Sequence, residues 1–267
     1  MRDRMAMSVD QSVIEQAFAV ARSAAAAGAR AALPFFHTKV DSSRKVDGSL
    51  VTAADLASEK AILTVLHDAF ADHSILSEET GVHVGRSDRR WIVDPLDGTH
   101  RFARGVRFWG PLVAFELDGE IVAGAAALPA LEETYTAAKG IGAFRNDEPI
   151  QVSTRTDWGH ANVACGSLGR LLESPHVSGA LDLIRRADYC LAGGDLEGAL
   201  LVARGEAEIW IEFGVKPWDV AALKIIVEQA GGRFTDLAGA HDLTQPGFLA
   251  SNGAMHDEAL RQLKPTA

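Results

Sequence analysis

Apolar and polar positions divide the first seventy residues into two helices and a polar connection. Apolar residues at helical spacing follow a capping box at Ser12–Glu15, and Pro34 is expected to end this helix. A second capping box, Thr52–Asp55, predicts a helix that runs to about Phe70. The polar residues 38–50 between the two helices are expected to form a mobile loop.

Short apolar runs in the rest of the first half predict neighbouring strands. The predicted strands are Ile75–Leu76, Arg90–Val93, Leu112–Leu117, Ile121–Leu128, Glu133–Ala137 and Ile150–Ser153. Asp118-Gly119 is a strong signal for a hairpin turn between two of them. The first half is therefore expected to place helices before a largely antiparallel sheet.

The second half alternates strands with helices, which is typical of an α/β arrangement with helices packed on a sheet. The predicted strands are Val163–Cys165, Tyr189–Leu191, Glu208–Ile211, Arg233–Thr235 and Phe248–Ala250. The predicted helices are Ser178–Arg186, Leu196–Arg204, Val220–Ala230 and His256–Leu263. A boundary between the two patterns falls near residues 153–160. We therefore expect residues 1–155 to form an N-terminal α+β half and residues 156–267 a C-terminal α/β half of one integrated unit.

Composition narrows the class of protein. The chain has 267 residues, of which 47% are hydrophobic, so a sizeable core is expected and disorder is not. A net charge of −10 argues against nucleic acid as a partner. Cys165 and Cys190 form no CxxC pair and are expected to be small buried groups. No apolar run approaches ~20 residues and no apolar leader follows the N-terminus, so we expect a cytoplasmic protein without a membrane span.

Acidic residues at the ends of strands provide the candidate chemistry. The run Trp91–Thr99 places Asp94 and Asp97 at the end of an apolar strand, where two carboxylates repel each other unless a cation lies between them. The pair Glu78-Glu79 ends the preceding strand. Asp219 lies far downstream, where it is also suited to be the N-cap of the following helix, because a carboxylate has two oxygens. We interpret these residues as parts of one metal site.

The residues around this carboxylate pair suit a hard cation and a phosphate group. Pro95 restricts the backbone and leaves the Leu96 carbonyl free to bind a metal. Gly98 permits close backbone approach, and Thr99 can orient a water molecule or a phosphate oxygen. Glu78 can bind a metal and also accept a proton from an attacking water.

Other phosphate-handling motifs are absent from the sequence. A haloacid-dehalogenase-type phosphatase needs an aspartate nucleophile where this chain has Pro95. Gly140-Ile141-Gly142 lacks the third glycine of a dinucleotide-binding loop, and no Walker-type lysine motif occurs. The nine histidines lack metal-ligand spacing. The sequence therefore does not support these alternative kinds of site.

Taken in order, these blocks resemble the signature set of the inositol monophosphatase family, whose members are Mg²⁺-dependent, Li⁺-sensitive phosphomonoesterases. The matching blocks are Lys45–Asp55, Glu78-Glu79, Asp94–Thr99 and Trp218–Ala222. The resemblance extends from Lys45 to Gly232. It implies a layered α/β/α/β/α sandwich of the α/β class, two or three bound Mg²⁺ ions and a homodimer.

The resemblance also implies roles for individual residues. The implied metal ligands are Glu78, Asp94, the Leu96 carbonyl, Asp97 and Asp219. The implied catalytic residues are Glu78 and Thr99, which orient the nucleophilic water, and Asp55, which supports Thr99 or that water. The implied substrate-binding residues are Asp97, Gly98, Thr99, Gly194, Asp195, Glu212 and Asp219. The Gly98 and Thr99 amides would contact the phosphate, and Gly194, Asp195 and Glu212 would line the alcohol side.

The substrate is predicted from a more local resemblance. Phe108–Gly110, Gly194-Asp195 and Lys216–Leu223 are similar to the histidinol-phosphate phosphatase branch. This branch converts L-histidinol phosphate and water to L-histidinol and phosphate in histidine biosynthesis, and the cationic amine would suit Asp195 and Glu212. The alternatives are an inositol-1-monophosphatase or related sugar-phosphate phosphatase and, in another class, a non-catalytic metal- or phosphate-binding regulator on the same scaffold.

Overall fold

The structure is a computed structural model that describes residues 2–38, 42–45 and 50–265, without the side chains of residues 2–10 and 42. Asp47, Gly48 and Ser49 of the predicted loop lie outside the described residues. The described helices are α1 (Arg2–Ala32), α2 (Ala53–Ala69), α3 (Thr99–Phe102), α4 (Leu168–Glu173), α5 (Val177–Arg186), α6 (Asp195–Ala203), α7 (Pro217–Gln229) and α8 (His256–Gln262). No helix among these residues is long and apolar enough to span a bilayer.

Two large sheets account for most of the strands. A small hairpin pairs β1 (Ser42–Arg44) with β2 (Leu50–Thr52). The first large sheet contains β3 (Ser74–Ser77), β4 (Gly81–His83), β5 (Arg90–Asp97), β6 (Gly110–Leu117), β7 (Glu120–Leu128), β8 (Glu133–Ala138), β9 (Gly142–Arg145) and β10 (Glu148–Pro149). The second contains β11 (Asn162–Cys165), β12 (Tyr189–Leu191), β13 (Ile209–Phe213), β14 (Arg233–Asp236) and β15 (Gly247–Ser251).

Each large sheet is formed by strands from one half of the chain. The eight-stranded sheet has the order β10-β9-β8-β7-β6-β5-β3-β4 and is antiparallel except where β3 pairs with β5. The five-stranded sheet has the order β12-β11-β13-β15-β14, with its first two pairs parallel and its last two antiparallel. Asp118 and Gly119 have φ values of 52° and 80°, as a type I′ turn requires, so the predicted β6–β7 hairpin is confirmed.

Alternation along the strands sorts the side chains into layers. Trp91 and Val93 of β5 pack in one cluster with α1 and α2, whereas Ile92 packs on the opposite face with α6 and α7. Trp210 of the small sheet shares that second cluster, and Ile211 beside it packs outward with α4, α5 and α8. The layers therefore run α1/α2, large sheet, α6/α7, small sheet, α4/α5/α8. The α/β/α/β/α sandwich expected from the sequence is confirmed.

Several local predictions were wrong. Part of the loop expected at residues 38–50 belongs to the β1–β2 hairpin. The first helix begins at Arg2, so Ser12 lies inside it and does not cap it. The segment between Arg2 and Ser12 contains no glycine or proline that would interrupt the helix. Residues 150–153 are not a strand. Their backbone groups instead join the sheet to a helix end, because Ile150 N–H donates to the Ala143 carbonyl and Val152 N–H donates to the carbonyl of Ala230, just beyond α7. Short elements such as α3, α4 and β9 were not predicted.

Candidate active site

A β-bulge brings the first two carboxylates together. Strand residues three apart normally point to opposite faces of a sheet. In β5, Asp94 pairs with Leu112 and Asp97 pairs with Gly110. Three residue positions along β5 therefore correspond to only two along β6. This extra residue turns both carboxylates towards one side. The Leu96 amide also donates to Asp94 Oδ1 at 2.9 Å, which fixes the carboxylate.

The third carboxylate comes from the first turn of α7. Pro217 is the first residue of this helix, where its missing N–H is tolerated. Lys216 is the N-cap, so the prediction that Asp219 occupies the N-cap was wrong: Asp219 is the third helical residue and its Oδ2 accepts from Lys216 N–H at 2.7 Å. Capping thus uses one oxygen of Asp219 and holds the carboxylate in place.

The three aspartates form a compact acidic cluster. Asp94, Asp97 and Asp219 each offer a carboxylate oxygen, and these oxygens lie within 4.8 Å of one another. Burial and the neighbouring carboxylates raise the pKa values of Asp94 and Asp97 well above their usual range, and burial raises the pKa of Asp219 to about 7. Such a cluster is unfavourable when fully ionised without a counter-ion. All its donors are hard oxygens, so the site fits a hard divalent cation.

Glu78 lines the same cavity as the cluster and contacts a lysine. Lys45 Nζ lies 2.7 Å from Glu78 Oε1 and 2.6 Å from Glu79 Oε1. Burial lowers the pKa of Lys45, but the hydrogen bonds to both glutamates raise it above its usual value. Burial also raises the pKa of Glu79 to about 7. The two glutamates therefore share one ammonium group at the edge of the site.

A buried glutamate on α2 fixes the segment that carries Glu78 and Glu79. Glu59 Oε1 accepts hydrogen bonds from Ser77 Oγ at 2.5 Å, from Thr80 N–H at 3.1 Å and from Thr80 Oγ1 at 2.9 Å. These donors flank the acidic pair on both sides. No role for Glu59 follows from the sequence alone, although it lies four residues after Asp55 on α2. The helical spacing of these two residues was the available signal.

Asp55 and Thr99 are directly connected. Asp55 is buried, and its Oδ2 accepts from both the N–H and the hydroxyl of Thr52, completing the predicted capping box. Its Oδ1 lies 3.1 Å from Thr99 Oγ1, which is also 3.0 Å from the Leu96 carbonyl. Both neighbours are acceptors, so the Thr99 hydroxyl directs its proton away from the cavity and can accept there. Gly98 precedes it with φ of 80°, a conformation that favours glycine.

The opposite wall of the cavity is built around Glu212. This side chain is buried, accepts from the Asp195 N–H at 3.1 Å, and has its pKa raised to about 7 by burial. A Cβ at Gly166 would lie only 1.7 Å from Glu212 Oε2, so any larger residue there would force the Glu212 carboxylate to move. Gly194 packs against Gly166 in the same way. Asp195 itself has φ of 54°, an uncommon value for a residue with a side chain.

Most of the predicted site residues converge on one cavity of about 110 Å³. The predicted residues that line it are Glu78, Asp94, Leu96, Asp97, Gly98, Thr99, Asp195, Glu212 and Asp219. Asp55 and Gly194 lie behind this lining, where they contact Thr99 and Gly166. Trp210 forms part of the wall, as expected of a core residue. Asp97 also crosses between the halves, since its Oδ2 accepts from Leu196 N–H at 2.6 Å.

Comparison with known proteins gives one consistent family. A family model described as "Inositol monophosphatase family" matches residues 10–266. A histidinol-phosphatase of Chlorobaculum parvum is 36% identical over 212 residues, covering 79% of this chain and 82% of the relative. An inositol-1-monophosphatase of Mesorhizobium japonicum is 35% identical over 227 residues, covering 82% and 84%.

A solved structure has the same fold. The extragenic suppressor protein suhB from Bartonella henselae superposes with a TM-score of 0.86 at 30% sequence identity. The match covers 93% of this chain and 98% of that protein. The similarity therefore includes both sheets and the helices between them.

Proposed function

This chain belongs to the inositol monophosphatase family and is a phosphoric monoester hydrolase, and from this premise we propose that it hydrolyses L-histidinol phosphate with Mg²⁺ as its cofactor. The observation that carries the proposal is the position of the acidic cluster. Asp94, Asp97 and Asp219 share a cavity with Glu78 and Thr99, and the second acidic group, Asp195 and Glu212, lines the same cavity.

The proposed metal ligands are Glu78, Asp94, the Leu96 carbonyl, Asp97 and Asp219. Two or three Mg²⁺ ions are expected from the family resemblance, with Li⁺ as an inhibitor. Bound Mg²⁺ would neutralise the phosphate and lower the pKa of water. The raised pKa values of Asp94, Asp97 and Asp219 support this assignment, because a bound cation offsets the burial and the repulsion between carboxylates that raise them.

Glu78 and Thr99 are proposed to orient the attacking water. Asp55 Oδ1 and the Leu96 carbonyl compete for the Thr99 hydroxyl proton, so the free lone pair of Thr99 can accept a hydrogen bond from that water. Glu78 would then take the proton as general base. The amides of Gly98 and Thr99 are proposed to hold the phosphate oxygens.

The alcohol side is proposed to recognise an ammonium group. Gly194 allows the backbone to pass close to Gly166, and the Asp195 N–H then reaches Glu212. The carboxylates of Asp195 and Glu212 would contact the cationic amine of L-histidinol phosphate. The family resemblance further supports a homodimer, and we retain a cytoplasmic location and the division at about residue 155 as proposals.

A phosphate-release assay tests this function. We expect L-histidinol phosphate to be hydrolysed with a higher kcat/KM than myo-inositol 1-phosphate in Mg²⁺, and neither to be hydrolysed in EDTA. Faster hydrolysis of the inositol ester would favour the alternative, an inositol-1-monophosphatase, and equal slow turnover of both would reject both substrates.

Glu78→Gln tests the proposed base. This substitution should lower kcat by about 10²-fold or more, since general-base catalysis contributes on that scale. Glu173→Gln makes the same change at an exposed position on α4 and serves as the matched control. Unchanged turnover in Glu78→Gln, with its fold intact by circular dichroism, would contradict the assigned role.

A further inference from the structure

Arg101 forms a bridge across the leaving-group side of the cavity. It lies on α3, two residues after Thr99, and only 19% of its side chain is exposed. Its Nε lies 2.9 Å from Asp195 Oδ2, its Nη1 donates to Glu197 Oε2 at 2.6 Å, and its Nη2 donates to the Gly194 carbonyl at 3.1 Å. All three guanidinium nitrogens therefore have partners at the start of α6.

This arrangement changes the charge of the wall that faces the alcohol. Asp195 lines the cavity, whereas Arg101 and Glu197 lie just behind it. Asp195, Glu197 and the Arg101 guanidinium together carry a net charge of −1, compared with −2 for the two carboxylates alone. The exposed fraction of the Asp195 side chain, 39%, shows that Asp195 still faces solvent while it is paired. A substrate ammonium must therefore share Asp195 with Arg101.

We propose that Arg101 is a specificity-determining residue: by pairing with Asp195 and Glu197 it limits the preference for alcohols that carry an ammonium group over neutral polyols. The inference rests on the proposed leaving-group side of the site. A neutral hydroxyl at the same position can donate a hydrogen bond to an unpaired carboxylate, but it gains less than an ammonium group because it carries no net charge. Loss of Arg101 should therefore favour the cationic alcohol selectively.

Two isosteric substrate pairs measure this preference. The first is L-histidinol phosphate against the analogue in which a hydroxyl replaces its amine, and the second is serinol phosphate against glycerol 1-phosphate. In each pair, the ratio of kcat/KM for the cationic ester to that for the neutral ester is the readout. Arg101→Gln should raise both ratios by about threefold to tenfold at low salt, the size expected for one unit charge a few ångströms from a half-exposed site.

Three further variants separate local charge from structure. Arg101→Lys keeps the charge but loses the planar geometry that reaches three partners, so its ratio should lie between those of the wild type and Arg101→Gln. Arg104→Gln removes a positive charge from an exposed position three residues along the chain and should leave the ratio unchanged. Glu197→Gln removes a negative charge and should lower the ratio, so it decides the question if Arg101→Gln does not fold.

Several outcomes would overturn the role of Arg101. These are a rise of less than threefold in Arg101→Gln, an equal fall of kcat/KM for both members of a pair, an equal rise in Arg104→Gln, or no change in Glu197→Gln. Failure of the wild-type enzyme to hydrolyse L-histidinol phosphate would instead reject the proposed substrate. The serinol and glycerol pair would still test Arg101 in that case.

Discussion

Asp219→Asn should make the metal-free protein more stable while it removes activity. The asparagine side chain keeps an oxygen that can accept from Lys216 N–H, so the cap of α7 is retained. It loses the negative charge that Asp219 adds to the cluster with Asp94 and Asp97. Function and stability therefore oppose each other at this position.

The raised pKa of Asp219 sets the size of the effect. Burial raises this pKa from 3.8 to about 7, so between these values the native state holds a proton that the unfolded state has lost. Stability from this group therefore falls as pH rises from 3.8 to 7 and stays low above 7. At about 1.4 kcal/mol per pKa unit, the ionised Asp219 lowers the free energy of unfolding by at most about 4 kcal/mol. Because asparagine is a weaker cap, we expect Asp219→Asn to raise the free energy of unfolding of the metal-free protein by about 3 kcal/mol at pH 8 and by clearly less at pH 5.

Urea denaturation in EDTA and in saturating Mg²⁺ tests this prediction. Mg²⁺ should stabilise the wild-type protein by about 3 kcal/mol at one hundred times its Kd, and should stabilise Asp219→Asn much less. Asp88→Asn, the same change at an exposed position, should stay within about 0.5 kcal/mol of wild type in both conditions. Destabilisation of the metal-free Asp219→Asn protein, or full stabilisation by Mg²⁺, would refute the reasoning.

Two further predictions concern Glu59 and His256. Glu59→Leu removes the shared acceptor of Ser77 and Thr80, and we expect the Mg²⁺ concentration for half-maximal activity to rise about tenfold. Glu59→Gln keeps an acceptor, so this Mg²⁺ concentration should rise much less. Equal values for the two variants would argue against this role. His256 lies between Thr235 and Ser251, and burial lowers its pKa to about 4. The unfolded state therefore binds more protons between pH 6.5 and 4, and stability should fall by about 2 kcal/mol as pH is lowered from 6.5 to 5. The His256→Asn variant should lack this loss in urea denaturation, and an identical pH dependence in both proteins would contradict the assignment.

Much of the fold could be predicted because its elements carry strong local signals. The apolar β5 run, the Asp118-Gly119 turn and the Thr52–Asp55 capping box each depend on residues that are close in sequence. Residues 150–153 could not be assigned in this way. Their hydrogen bonds reach the Ala230 carbonyl, and no local pattern reports that contact.

The same distinction applies to the candidate site. The pairs Glu78-Glu79 and Asp94/Asp97 could be identified because they end predicted strands, and the family resemblance supports connecting them with the distant Asp219. Arg101 was missed because its partners lie more than ninety residues away, at Gly194 and Glu197. Its position two residues after Thr99 was the only signal in the sequence. A basic residue at such a position does not by itself indicate contacts with distant carboxylates.

The hydrogen bond from Leu196 N–H to Asp97 joins two residues that lie 99 positions apart in the chain. A ribosome releases the residues of the large sheet first, and these carry Asp94 and Asp97 but neither Leu196 nor Asp219. The unfinished chain therefore lacks both the amide that anchors Asp97 and the third carboxylate of the cluster. The acidic cavity is therefore complete only after the second half of the chain has been synthesised and has packed against the first.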